Sequence, residues 1–428
     1  MNGFISFFLA FLTFFASIVN TCVKVEAPED KTDFTPVVRF TVCSDNHINY
    51  AGDNPCIRLN KMMKFSYAVA EADKEYNKLD AAMFVGDIAD NGRKDQFYGF
   101  KSTLNASVKD ETQVLALLAA KSHDGSTLDE GVLDFFPELT GIENDTHVVI
   151  NGFHFITISQ SRIESDQYSE YQRTWLKAQL DAAVKDDPNK PIFVAHHEHV
   201  LNTVYGGSSI DGWGMDYFRD IFNEYPQIVH FSGHSHYPVN DPRSIWQGEF
   251  TAIGTGSMKY LEFTIDTDRT VHPEGNGDEM EFWIVEADAN NRIRLRAYDL
   301  AEQALLCEYI LDGPLDRSYT PEKRIASASA PVFNNANVKV KHPFGSYKVT
   351  VDRAESTDGM PVFLYRAYAL DKDGNELSMV YYLPRYYSAT LDDTVTIKLG
   401  KLPKGTAYIK VTAENAYGMQ SEPIIIEK

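Results

Sequence analysis

Apolar runs with strand character alternate with helix-patterned stretches over the first three hundred residues, and most of these runs break off on Asp, His or Gly. Pro36 to Cys43 reads as a buried strand. Residues 57 to 78 read as a helix with Phe65, Val69, Ala72 and Tyr76 on one face. Leu79 to Val85 is the next strand, a helix around 93 to 107 follows, and Val114 to Ala119 is a third strand. A β-α-β-α-β order restricts the chain to a layered α/β sheet. Val148 to Ile150, Asn151-Gly152 and Phe153 to Ser159 form a hairpin signal. A helix over about 167 to 184 precedes strands Ile192 to Ala195 and Ile228 to Phe231, and short strands continue from 248 to 311.

Five pieces follow these strand runs: Asp45-Asn46-His47, Gly86-Asp87, His123-Asp124, His196-His197 and Gly233-His234-Ser235-His236. Strand ends on one edge of a sheet converge, so residues far apart in sequence can share a site. Mixed carboxylate and imidazole donors suit Zn, Mn or Fe. One carboxylate among several histidines suits a two-metal hydrolytic centre.

At 428 residues the chain is long enough for two or three domains. A formal net charge of −21 argues against a general nucleic-acid binder, whose footprint is basic. Residues 4 to 19 are one apolar block, short for a membrane span. Residues 1–27 read as a signal peptide, although no Lys or Arg precedes the block, so a secreted or cell-surface protein is expected. Asn20 is too bulky and polar for a lipoprotein box, so no lipid anchor is expected at Cys22. Four cysteines, Cys22, Cys43, Cys56 and Cys307, do not make a disulfide scaffold. A Cys43–Cys56 bridge is left open. Residues 313–331, rich in Pro, Ser and charge, read as a linker. Beyond it, short strands separated by turns and no helix point to a small all-β sandwich.

In order and content the five pieces, with Lys121-Ser122 before His123, resemble the calcineurin-like metallophosphoesterases over residues 36–312. The resemblance implies a four-layer α/β/β/α sandwich and two metal ions, Mn, Fe or Zn. It implies Asp45, His47 and His236 on one ion and His196 and His234 on the other, with Asp87 between them. Ser122 stands where the family carries an Asn ligand, which predicts a weaker second site. Glu198 stands where Pro is common, and Glu198 or His199 is a candidate compensating ligand. His123 is expected at the leaving oxygen, with Asp124 orienting it. His197 reads as a core or supporting residue; His147, His154 and His230 read as structural. Asp90 occupies the place of the purple acid phosphatase Tyr. Tyr205, Trp213 and Tyr217 are candidates to line a substrate cleft.

The implied activity is an exported phosphoesterase that hydrolyses phosphomono- or phosphodiesters by attack of a metal-bridging hydroxide. The alternative is a catalytically weakened surface binding protein on the same scaffold. A serine hydrolase is excluded by the lack of a Gly-x-Ser-x-Gly elbow. Residues 332–428 resemble a fibronectin type III or immunoglobulin-like domain, carried by Leu402-Pro403 and the run Tyr408 to Gly418. Such a domain is expected to act as a spacer or to contact a cell surface or polysaccharide.

Overall fold

The computed structural model describes residues 33–428 apart from 126–130, 161–167, 267 and 335–336. Residues 1–27, expected as a signal peptide, and with them Cys22, lie outside the described residues. Two six-stranded sheets build the first domain. One runs in the order Ala304–Leu311, Ile293–Asp299, Glu281–Asp288, Pro36–Cys43, Ala81–Val85, Gln113–Leu117. The other runs Ile245–Gln247, Thr251–Gly254, Ile228–Ser232, Ile192–Ala195, Phe153–Ile158, Asp145–Ile150. The sheets face each other across a core that includes Phe40, Phe155, Phe193, Phe231 and Trp283. Helices Asn54–Ala72, Lys94–Ser107 and Val132–Thr140 cover the outer face of the first sheet, and Glu170–Asp186 covers the second. This is the expected four-layer α/β/β/α sandwich.

Local chemistry sets the element ends. Helix Asn54–Ala72 starts three residues before the expected position because the Asp53 carboxylate accepts from Cys56 N at 3.0 Å, with Pro55 in the first turn. It stops well short of residue 78. The Asp73 carboxylate accepts from the Glu75 and Tyr76 amides, offering the backbone a turn in place of the helix. The Asn151-Gly152 hairpin forms as expected, with φ of 52° and 80°, the left-handed pair a two-residue turn requires. Cys43 and Cys56 are separate free thiols.

The C-terminal residues form two antiparallel sheets. One contains Val338–Lys341, Tyr347–Asp352 and Thr394–Gly400; the other contains Glu376–Tyr382, Val362–Leu370, Tyr408–Asn415 and Ile424–Glu427. Val349, Tyr365, Ile397 and Val411 fill the space between them. Residues 313–331 are more than a linker. They include helix Pro321–Ser327, and Arg317 donates to the carbonyls of Pro226 and Glu249 in the first domain. Tyr205, Tyr237, Leu261 and Phe263 of that domain share a core with Phe363, Leu383, Tyr386 and Tyr387 of the sandwich.

Candidate metal centre

The centre lies where strands of both sheets end. Beyond Pro36–Cys43 and Ala81–Val85 the two exit loops are laced together: Asp45 N donates to Gly86 O at 3.1 Å, and His47 N to Asp87 O at 2.9 Å. Asp45, His47, Asp87, His234 and His236 all have left-handed backbones, with φ between 47° and 72°. Such conformations cost energy in non-glycine residues and gather at functional sites. Two close approaches require glycine. A Cβ on Gly233 would meet Asp45 Oδ2 at 2.6 Å, and one on Gly86, whose φ is +79°, would meet His197 Nδ1 at 2.5 Å.

Two donor groups result. In the first, donor atoms of Asp45, His47 and His236 lie within 4.8 Å of one another; in the second, those of Asp87, His197 and His234 do. His47 Nε2 and His236 Nε2 are 3.2 Å apart, and so are His197 Nε2 and His234 Nδ1. Imidazole lone pairs converging in this way on a buried carboxylate fit a cation. Asp45 Oδ1 is buried and lies 3.1 Å from His236 Nε2, so carboxylate and imidazole converge on one point. The far nitrogens are tied back. His197 Nδ1 donates to Val85 O at 2.9 Å and His236 Nδ1 to Tyr260 O at 3.1 Å, which fixes tautomers with Nε2 facing inward. Each of the two groups is therefore a candidate to hold a metal ion.

The electrostatics divide the four imidazoles. Burial works against ionising Asp87, but the neighbouring His197 prevails and takes its carboxyl down to about 2. Burial and His236 push His47 down to about 3; burial and His197 push His234 down to about 4. Burial works against charging His197 and His236, but Asp87 and Asp45 prevail and hold both above the ordinary imidazole value, so binding a cation there would release their protons.

The structure corrects three expectations. His196 is not at the centre. Strand Ile192–Ala195 places Phe193 and Ala195 between the sheets and Ile192 and Val194 under the outer helix layer. Alternation then sends His196 outward and His197 inward. His196 packs against Phe218, Phe222 and His230, and neither of its ring nitrogens has a hydrogen-bond partner. Asp124 does not orient His123. Its carboxylate accepts from Ala89 N at 2.7 Å and Ala119 N at 2.9 Å, and so clamps the loop onto the strand exits. The His123 ring is held instead by Asp90 O, 2.9 Å from Nδ1. Neither Glu198 nor His199 serves as a compensating ligand: Glu198 is bonded to Gln160 and Tyr168, and His199 to Ser232 and Ser235.

Ser122 does reach the centre, where its hydroxyl donates to Asp87 Oδ2 at 3.1 Å and the adjoining His123 N donates to Oδ1 at 3.1 Å. His123 is exposed at the mouth, its ring edge-on to His47 with centroids 4.4 Å apart. Of the aromatic cleft candidates, Trp213 lies 5.3 Å from the His234 ring, Tyr205 belongs to the interdomain core, and Tyr217 packs on Tyr168. Residues the sequence did not flag include Tyr260, against His236 at 4.4 Å, and Lys259, whose Nζ is 3.3 Å from Asp90 Oδ1. No spacing signal announces either one.

Residues 38–238 match the family described as calcineurin-like phosphoesterase. The match covers a little less than half of the chain and stops short of the C-terminal sheets. Among solved structures, the chain is similar to GAP50, the anchor in the inner membrane complex of Plasmodium. That likeness is at 14% identity and a TM-score of 0.42, covering 64% of this chain and 87% of that one. It is also similar to purple acid phosphatase PPD1 from yellow lupin seeds, at 13% identity and a TM-score of 0.46, covering 64% of this chain and 53% of that one. No curated protein sequence matches the chain.

Proposed function

We propose that this chain is an exported, metal-dependent hydrolase of phosphoric esters. The observation that carries the reading is the pair of donor groups, Asp45, His47, His236 and Asp87, His197, His234, on one edge of the two sheets. Two cations held there would supply Lewis acidity and lower the pKa of water. Asp87 is the carboxylate placed to serve both, with Ser122 beside it. The His123 Nδ1–H donates to the Asp90 carbonyl and so orients the ring, and Nε2, when the ring is an imidazolium, is the atom that would give a proton to the leaving oxygen. The apolar block at residues 4–19 supports export. The three-plus-four-strand sandwich supports a fibronectin type III-like module that contacts a cell surface or polysaccharide.

The test is turnover of a generic phosphomonoester and a generic phosphodiester with Mn, alongside Asp87→Ala. Turnover lost in the variant, with metal content reduced, supports the reading, and the faster ester sets the subclass. Full metal content with no hydrolysis of either ester overturns it in favour of a binding protein on this scaffold.

A further inference from the structure

A cleft of about 450 Å³ opens where the first domain, the helix Pro321–Ser327 and the C-terminal sandwich meet. Its size lies in the range of small-molecule sites. None of the metal-centre residues lines it. Its aromatic walls are Tyr205 and Trp246 from the first domain and Phe363 and Tyr417 from the sandwich, with Arg324 from the connecting helix.

Three arginines face this cleft, and two are engaged. Arg243 grips both oxygens of Asp241, through Nε at 2.8 Å and Nη2 at 2.7 Å. Arg366 holds Asp266 through both terminal nitrogens at 2.9 Å and Glu414 through Nε at 3.0 Å. Arg324 is only 6% exposed, yet its Nε and Nη2 are buried without a hydrogen-bond partner. Tyr319 and Tyr309 lie 4.8 and 5.6 Å from its guanidinium carbon; they stabilise the charge but leave those N–H groups unmatched. Buried polar groups are rarely left so. The unmatched Nε/Nη2 edge is the one with which Arg243 grips Asp241, a fork that fits two oxygens of one carboxylate or phosphate. The Tyr417 hydroxyl, also without a partner, adds a second polar group.

We propose that this cleft is a second ligand site, for a sugar ring bearing a carboxylate or a phosphate. The oxyanion sits on the Nε/Nη2 edge of Arg324. The ring lies against the aromatic walls, and its hydroxyls find Thr203, Ser208 and Asp211 along one side. The same loop continues to Trp213 beside His234, so an occupant of the cleft borders the segment that reaches the metal centre.

The experiment is calorimetric titration of the full chain with glucuronate, glucose 6-phosphate and glucose, with a chelator present so that no ester is consumed. At least one acid is expected to bind and glucose to bind much more weakly; which acid binds identifies the source of the oxyanion. Arg324→Gln is expected to weaken binding by about tenfold or more, the usual loss of a charge-assisted pair. Ile210→Trp crowds the exposed rim without touching the core and is expected to weaken it as well, which keeps the test open if Arg324→Gln fails to fold. Binding of neither acid, equal binding of glucose, or acid binding unchanged in Ile210→Trp overturns the proposal.

Discussion

His196 and His197 are neighbours in sequence but point into different layers, and that separation decides which one can ligate. The signal was in the sequence: Phe193 and Ala195 share a face with residue 197, while Ile192 and Val194 share one with residue 196. Reading the motif without counting parity from the strand selects the wrong imidazole. His197→Ala is therefore expected to lower bound metal, measured by elemental analysis, whereas His196→Leu retains it. His196→Leu also removes two buried ring nitrogens that have no partner, so its thermal midpoint is expected to hold or rise. Metal loss in the His196 variant alone would reverse the assignment. Ser122 was legible as a departure, and its hydroxyl at Asp87 gives it a location. Ser122→Asn supplies a longer amide oxygen, so tighter binding of the second ion is expected in a competitive chelator titration.

At the scale of elements, the strands that deliver the centre were legible because their apolar runs are long and the hairpin turn has one strong solution. Helix ends were less so, since Asp53 and Asp73 act through side-chain bonds that periodicity does not register. The charges buried in the first sheet were not legible at all. Arg39, Glu286 and Arg294 occupy three adjacent strands and are each at most 1% exposed. Glu286 accepts from Arg39 Nε and Arg294 Nε, both at 2.5 Å. An Arg or Glu within a strand reads as solvent-facing until the partner strands are known. Breaking such a buried cluster from one side leaves unpaired charge, so Glu286→Gln is expected to cost about 3–5 kcal/mol by urea unfolding at neutral pH. Burial opposes ionisation of Glu286, yet Arg39, Arg294 and Arg296 hold its carboxyl below the ordinary range. A carboxyl lowered on folding stabilises fully above its unfolded pKa of about 4.3, and that contribution is lost as pH falls through the lower folded value. The gap between wild type and variant is expected to narrow on acidification in that window. A constant gap down to the acid transition would remove Glu286 as the cause.

For the whole molecule, the two-domain organisation followed from the change in strand pattern, but the way the domains meet did not. A strand's period tells that a face is buried; it does not tell which of two cores receives it. Phe363 and Tyr386 of the C-terminal residues are committed to the interface rather than to the interior of the sandwich. There Phe363 meets the Tyr205 ring at 6.3 Å, and Tyr205 meets Tyr237 at 4.3 Å, one residue beyond His236. Arg366 and Asp266 pair across the same boundary. The sandwich thus braces the loop that carries His234 and His236, although it contributes no donor atom to the centre. A shared apolar core should make both domains unfold together, in one calorimetric transition. Phe363→Ala leaves a cavity at this contact, with a usual cost of about 3–5 kcal/mol. We expect it to separate the transition into two and to weaken metal binding at Asp45, His47 and His236 while every donor side chain remains. Two transitions with unchanged metal affinity would mean that the sandwich is docked but does not brace the site, and one unchanged transition would mean that the interface core is not what couples the domains.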